Sequence, residues 1–417
     1  MSEFIVHGGK KLYGETAVQG AKNSVLPLLA ATYLCNDECV LHNCPRLSDV
    51  KASVAILEYL GCKCRFDGNT LTVNSAGCFN SDIPESLMRE MRSSIIFLGA
   101  IAAKCQKAEM SLPGGCELGP RPIDIHLGAL RQMGVATECV GGKLICTAPD
   151  GIKPAEIHLN FPSVGATENI ILTACQAKGT TVIHNAAREP EIVDLAQFLN
   201  ICGADIKGAG TSTVVVEGKR ILSGAEYSVM PDRIVAATYL FTTAMCKGAV
   251  TIKNCVPEHL FPFCEVLRKC GCDVTVLETS VSVRAHHTLH NFDVVSSSPY
   301  PGFPTDAGPS LVSASCLFKG TGVFVENIFD SRFRYVDELK RLGADIKTVG
   351  RAAVVTGVKN LSGAEVLAHD LRGGAALVSA ALAAHGTSVV HNTEFIDRGY
   401  ESIEKVFGIL GAEIERK

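Results

Sequence analysis

The chain has no tryptophan, and only 6% of its residues are aromatic. It has no basic stripe and no aromatic residues interleaved with lysine or arginine, and its net charge is -4. A nucleic-acid partner is therefore not expected, because phosphate neutralisation and base stacking both lack their residues. No apolar run is long enough to cross a bilayer without a charge, so no membrane partner is expected. No Walker loop is present, and no Gly-x-Gly-x-x-Gly follows a strand. The first residues carry no apolar core behind a basic start, as a secretory signal would.

There is also no Cys-x-x-Cys among the 18 cysteines. Cys62/Cys64 and Cys270/Cys272 each have one residue between them and so point to opposite faces of a strand. Most of the others alternate with apolar residues or lie in alanine-rich segments, as do Cys175, Cys246 and Cys316. They read as reduced, buried, small apolar side chains in a cytoplasmic protein. No His, Cys or Asp cluster has metal-ligand spacing, and His286-His287-x-x-His290 is a weak candidate in a loop. No metal site is expected from this spacing.

What is abundant is glycine, with 39 residues, and a short pattern that recurs. An amphipathic helix ends in glycine, followed by a small residue and a strand-turn-strand. The glycines are Gly61, Gly134, Gly203, Gly271, Gly343 and Gly411, about 70 residues apart. Each suits a helix C′ position, where φ is positive. A second half-pattern runs strand, polar bend, Ala/Leu-rich helix, strand. Its copies are 12–43, 85–115, 157–185, 227–254, 304–327 and 361–392. Six units of βαβαββ type imply an α/β protein of two pseudo-threefold domains with three units each. Helices such as 373–385 suit burial within rings of sheet. The expected domains are 21–229, and 230–417 closed by the N-terminal strand in 1–20.

The bends that precede the Ala/Leu-rich helices carry the unusual polar residues. These are Lys22-Asn23, Arg92-Ser93, Ser163–Thr167, Asp232-Arg233, Thr305-Asp306 and Asp370/Arg372. Helix N-termini have free N–H groups and a positive end, so such bends suit anions. If two facing domains bring them together, Lys22, Arg92, Arg121, Arg332, Arg372 and Arg398 surround Asp232 and Asp306. That much positive charge suits a polyanionic substrate. Simpler roles compete. Lys22 fits a solvated helix start, and Asp232, Asp306 and Asp370 fit N-caps. Arg332 and Arg334 fit surface pairs with Asp330 and Asp337, and Arg398 fits a local pair with Asp397. His126 fits a structural histidine. The run Leu112–Leu127 holds three glycines and three prolines and reads as a loop. Its tip bears Cys116, whose thiolate Arg121 would favour.

These residues resemble the UDP-N-acetylglucosamine 1-carboxyvinyltransferases. The match rests on Gly20-Ala21-Lys22-Asn23, Met91-Arg92-Ser93-Ser94, Leu112–His126 and the run from Ser163 to Asn169. It continues through the run from Ala187 to Asp194, Pro231-Asp232-Arg233-Ile234, Phe303-Pro304-Thr305-Asp306 and Asp397-Arg398-Gly399-Tyr400. The order is kept from end to end. The shikimate-pathway enolpyruvyl transferases share the six-unit fold but are not expected to carry the cysteine loop. The resemblance implies a two-domain inside-out α/β barrel that requires no metal and no organic cofactor. It also implies enolpyruvyl transfer from phosphoenolpyruvate to the sugar 3′-hydroxyl of UDP-N-acetylglucosamine, by addition and elimination.

By the same resemblance, Cys116 is the general acid and Asp306 deprotonates the hydroxyl. Lys22, Asn23, Arg121 and Arg398 hold phosphoenolpyruvate, supported by Arg332 and Arg372, with Lys22 and Arg398 counted as catalytic. The UDP-sugar falls to Asn23, Arg92, Arg121, Pro122, Ile123, Asp124, Ile125, Ser163, Val164, Gly165, Asp306 and Ile328. The 121–125 stretch is expected as a loop. The chain departs from the family pattern at Asn160-Phe161-Pro162, where a basic residue is expected. It departs again at Val235-Ala236-Ala237-Thr238, which lacks an acid, and at Ala307-Gly308-Pro309-Ser310.

Overall fold

The computed structural model describes residues 2–111, 123–219 and 221–417. Cys116, Arg121 and Pro122 lie outside the described residues, as does the rest of 112–122 within the Leu112–Leu127 run. The described chain divides into two compact units, one of 2–19 with 231–417, the other of 20–111, 123–219 and 221–230. Each unit holds three separate four-stranded sheets. The barrel implied by the resemblance is thus made of distinct sheets, and among the described residues no sheet closes on itself.

All six sheets have one plan. In the second unit, strand Glu156–His158 pairs in parallel with Thr180–His184. That strand pairs antiparallel with Thr213–Glu217, which pairs antiparallel with Asp205–Lys207. The same order recurs around Lys107–Ser111 and Glu38–His42. In the first unit the N-terminal residues complete two sheets. Glu3–His7 lies between Thr387–His391 and Glu413–Arg416, antiparallel to both. Tyr13–Ala17 is the parallel partner of Ala249–Lys253.

The repeat glycines act where the pattern puts them. All six have positive φ, from 82° at Gly134 to 102° at Gly203. At each, the following residue donates its N–H to a carbonyl five positions back, as Cys62 does to Leu57 at 2.9 Å and Ala412 to Phe407 at 2.9 Å. This closes the helix and turns the chain into the hairpin. A second device was not anticipated. An asparagine follows the central strand in five repeats, and its side-chain amide donates to a main-chain oxygen next to the parallel edge strand. The bonds are Asn43 to Val229 O, Asn185 to Leu159 O, Asn254 to Val18 O, Asn327 to Ser297 O and Asn392 to Ala368 O. In the remaining repeat, 85–115, Leu112 follows Lys107–Ser111, and the chain enters the cysteine run.

The Ala/Leu-rich helices are buried almost all round. Helix Leu371–Ala383, two residues earlier than expected, buries every residue from Arg372 to Leu382. It packs with Arg233–Met245 and Gly308–Ser315 in one unit. In the other unit Lys22–Leu34, Phe97–Cys105 and Val164–Ala174 pack together. The second repeat differs from expectation: a helix, Glu85–Glu90, and a 3-10 turn, Arg92–Ile96, stand where a strand and simple bend were expected.

Close helix contact sets a sharp requirement at Gly99. A Cβ there would fall 2.5 Å from Asn169 O and 2.9 Å from Thr173 Oγ1. Overpacking of this kind outweighs the gain in helix propensity. Gly99→Ala is expected to lower stability by about 1–3 kcal/mol in a urea melt.

Candidate functional site

Because the central helices are buried, charge can enter only at their ends. In the second unit Lys22 opens helix Lys22–Leu34 and is itself buried. Its Nζ lies 2.7 Å from Asp49 Oδ2, with side-chain exposures of 10% and 2%, so the solvated-helix-start role is set aside. Two residues on, Ser24 donates to Asp194, whose other oxygen accepts Tyr227 Oη at 2.6 Å. Burial raises the Asp194 pKa, with Glu191 adding to it, while the two hydroxyl donors oppose the shift. Glu168 is buried beside Glu191 and Glu189, and burial pushes its carboxyl well above the usual range. The core cannot solvate the charged form, which is the cause of that shift.

Ser163 caps helix Val164–Ala174 by accepting from Ala166 N at 3.4 Å. Gly165 passes close to His126, where a Cβ would stand 3.1 Å from Cε1. Asn169 explains the state of that histidine. Its Oδ1 accepts Gly99 N at 2.7 Å, so its amide nitrogen must donate, and it does so to Ile95 O and to His126 Nδ1 at 2.9 Å. His126 Nδ1 therefore holds no proton. Burial drives its pKa down to about 4 against the weaker opposing pull of Asp124. Asp124 and Ile125 lie in the first turn of helix Asp124–Gln132, not in a loop. They line a cavity of about 160 Å³ with Ala129, Ile157, Leu159 and Asn160. Ile123 is the residue before that helix, and Arg92 begins a 3-10 turn.

In the first unit Asp232 and Asp370 are N-caps. Asp232 accepts from Ile234 and Val235 N, and Asp370 from Arg372 and Gly373 N. Asp306 plays a different part. Its Oδ1 accepts Arg332 Nη2 at 2.9 Å, and its Oδ2 accepts Arg372 Nε and Nη2 at 3.2 and 3.1 Å. Both arginines are 3% exposed at the side chain and Asp306 is 26% exposed, so the carboxylate is the solvent-facing member. Burial opposes the charge on Arg372, yet Asp306 and Tyr400 beside it leave its pKa raised. The surface pairs considered for Arg332 do not form. Asp330 pairs with Arg351 and Asp337 with Lys340. Asp397 accepts both Nη atoms of Arg416, and Arg398 is half-buried.

Four polar atoms here are buried without a hydrogen-bond partner among the described residues: Arg332 Nε, Arg372 Nη1, Tyr335 Oη and Asp370 Oδ2. Such atoms are rare in a closed core and common where a ligand is received. Glu326 is a residue that sequence reasoning missed. It is wholly buried and its two oxygens accept Ser297 Oγ, Thr305 Oγ1, Ile328 N and Phe329 N. It ties the segment before Asp306 to the one before Arg332 and takes up the Ile328 N–H. Its only sequence signal was an acid just past an apolar strand. Sequence spacing also hid a group of thiols, Cys35, Cys39 and Cys202, whose sulfurs come together. Among the described residues the histidine run at 286–290 joins no such group.

Two outcomes follow. Asp306→Asn leaves two buried guanidinium groups facing a neutral acceptor and is expected to cost about 2 kcal/mol in chemical denaturation. His126 is depressed in the folded state, so its contribution is full above its unfolded pKa near 6.5. It is lost as pH falls towards about 4. Between these limits wild type should lose stability more steeply than His126→Gln, by up to about 1.4 kcal/mol per pH unit.

Comparison with known proteins agrees along the whole chain. The profile of the family described as EPSP synthase (3-phosphoshikimate 1-carboxyvinyltransferase) matches residues 6–407. The UDP-N-acetylglucosamine 1-carboxyvinyltransferase 2 of Caldanaerobacter subterraneus subsp. tengcongensis is 50% identical over 416 residues, covering 100% of both chains. The UDP-N-acetylglucosamine 1-carboxyvinyltransferase 1 of Carboxydothermus hydrogenoformans is 45% identical, covering 100% of this chain and 98% of its own. Among solved structures, the enolpyruvyl transferase NikO from Streptomyces tendae superposes with a TM-score of 0.89 at 22% identity. That match covers 100% of this chain and 99% of NikO. EPSP synthase from Acinetobacter baumannii gives 0.77 at 18% identity, covering 100% of each. The chain is a member of the EPSP synthase family of carboxyvinyltransferases, within the group of UDP-N-acetylglucosamine 1-carboxyvinyltransferases.

Proposed function

We propose that the protein transfers the enolpyruvyl group of phosphoenolpyruvate to the 3′-hydroxyl of UDP-N-acetylglucosamine, releasing phosphate, as the first committed step of peptidoglycan synthesis. The observation that carries this is the Arg332–Asp306–Arg372 group. Two buried guanidinium groups share one carboxylate, and each keeps an N–H without a partner. The free N–H groups suit an oxyanion, and the solvent-facing carboxylate suits a hydroxyl proton. The reading places the reaction in the cytoplasm, where phosphoenolpyruvate and reduced thiols coexist. No described helix is long and apolar enough to cross a membrane.

In this mechanism the sugar hydroxyl gives its proton to Asp306 as its oxygen attacks C2 of phosphoenolpyruvate. Cys116 delivers a proton to the methylene carbon. The tetrahedral ketal then loses a proton from that carbon, and the C–O bond to phosphate breaks. Lys22, Arg121 and Arg398 neutralise phosphate, and Arg332 and Arg372 stabilise charge as it develops. Asn23, Arg92, Ser163, Val164, Gly165, Ile328 and the 121–125 stretch hold the UDP-sugar. The cavity beside Asp124 and Asn160 offers a carboxylate and an amide to the imide edge of uracil. Asn160, where a basic residue was expected, suits that neutral edge better than a phosphate. The reading assigns the two units, 21–229 and 1–20 with 230–417, as the domains that carry the two sets of residues.

A phosphate-release assay tests it. Phosphate should appear from phosphoenolpyruvate only when UDP-N-acetylglucosamine is present, and fosfomycin should stop it through Cys116. Cys116→Ala is expected to reduce kcat by about 100-fold or more at neutral pH. Asp306→Asn should lower kcat far more than it changes KM. Tight UDP-N-acetylglucosamine binding with no phosphate at high enzyme concentration would instead mark a binding paralogue. Release with another hydroxyl acceptor only would reassign the substrate.

A further inference from the structure

The described thiols are spread through both units, but three converge in one. Cys35 closes helix Lys22–Leu34, Cys39 lies in strand Glu38–His42, and Cys202 closes helix Pro190–Ile201. Cys35 and Cys39 are 0% exposed and Cys202 is 1% exposed. All three are free thiols, and their sulfur atoms lie within 4.8 Å of one another. Among the described residues no other group of His, Cys, Asp or Glu meets this spacing. We propose that Cys35, Cys39 and Cys202 form a buried three-sulfur site for a soft d10 cation of the Cu(I) class.

The geometry favours three-coordination. Sulfurs bonded at about 2.3 Å to a central ion in a trigonal plane stand about 4 Å apart, a small contraction from the limit seen. Zinc prefers a fourth ligand, and no described His, Cys, Asp or Glu joins the three. The surroundings favour a cation. Two helix C-termini end at Cys35 and Cys202, and their partial negative charge attracts a positive ion. Each thiol gives its proton to bulk solvent as its sulfur bonds the ion, and no electron moves. Three thiolates on a monovalent ion leave two negative charges. The Lys104 ammonium, donating to Cys35 O at 3.2 Å, offsets one of them.

The test uses the full-length, fully reduced protein and Cu(I) itself, in competition with a chromogenic Cu(I) chelator under anaerobic conditions. Wild type should withhold one equivalent that Cys202→Ser holds at least about 100-fold more weakly. Cys175→Ser, which removes a buried thiol outside the group, should leave that equivalent in place. Cys202→Ser need not fold for the question to be decided. Crystals of the copper-loaded wild type should show a copper-edge anomalous peak between the sulfurs of Cys35, Cys39 and Cys202. No peak there, a peak bonded to two of the three sulfurs, or unchanged retention by folded Cys202→Ser overturns the proposal. Preferential retention of Zn(II) with a fourth ligand overturns the three-coordinate assignment.

Discussion

A helix buried on every side cannot carry charge along its length, and this constraint organises the protein. Helices such as Leu371–Ala383 and Arg233–Met245 meet other helices and sheet around nearly their whole circumference. Beyond the first position or two, their sequences are therefore apolar and small hydroxyl residues. Thr238, Thr242 and Ser379 satisfy their hydroxyls within the core, through Ile234 O, Thr238 O and Ala375 O. Their ionised groups stand at the amino ends, where free N–H groups and the positive end of the helix stabilise the carboxylates of Asp232 and Asp370.

At those ends the helix starts are not equivalent. Asp232 and Asp370 spend their carboxylates on backbone N–H groups, which is what an acid at a helix start most often does. Asp306 lies inside the 3-10 turn Thr305–Ala307 instead, and side-chain guanidinium groups take both its oxygens. Glu326 makes that difference possible. By holding Thr305 Oγ1 and the Ile328 and Phe329 N–H groups, it sets the segments that carry Asp306 and lead to Arg332. In the other unit the charge pattern inverts. Lys22 is neutralised by Asp49, while burial beside other acids pushes the Glu168 pKa up. His126, with Asn169 donating to its ring, is held neutral.

The repeat was legible because it is written in residues whose backbone demands are local. A glycine at C′ needs positive φ wherever it stands, so six such glycines at one spacing announce six helix ends. Local patterning also announced the alanine-rich helices. It missed helix Glu85–Glu90 because a short segment carries too little periodicity to separate helix from strand. The asparagine clamps escaped notice for another reason. Their partners, such as Val229 for Asn43 and Val18 for Asn254, are far away in the chain.

The sequence by itself determined the fold class, the family, and which corners bear charge, since each follows from residue type, spacing and order. Only tertiary structure decided which charges are paired and which thiols are neighbours. Asp306 looks like a helix cap until Arg332 and Arg372 arrive from other segments, and Cys202 looks like packing until Cys35 and Cys39 stand beside it. Coulomb and ligand interactions act over a few ångströms in space, and sequence separation carries no record of that distance.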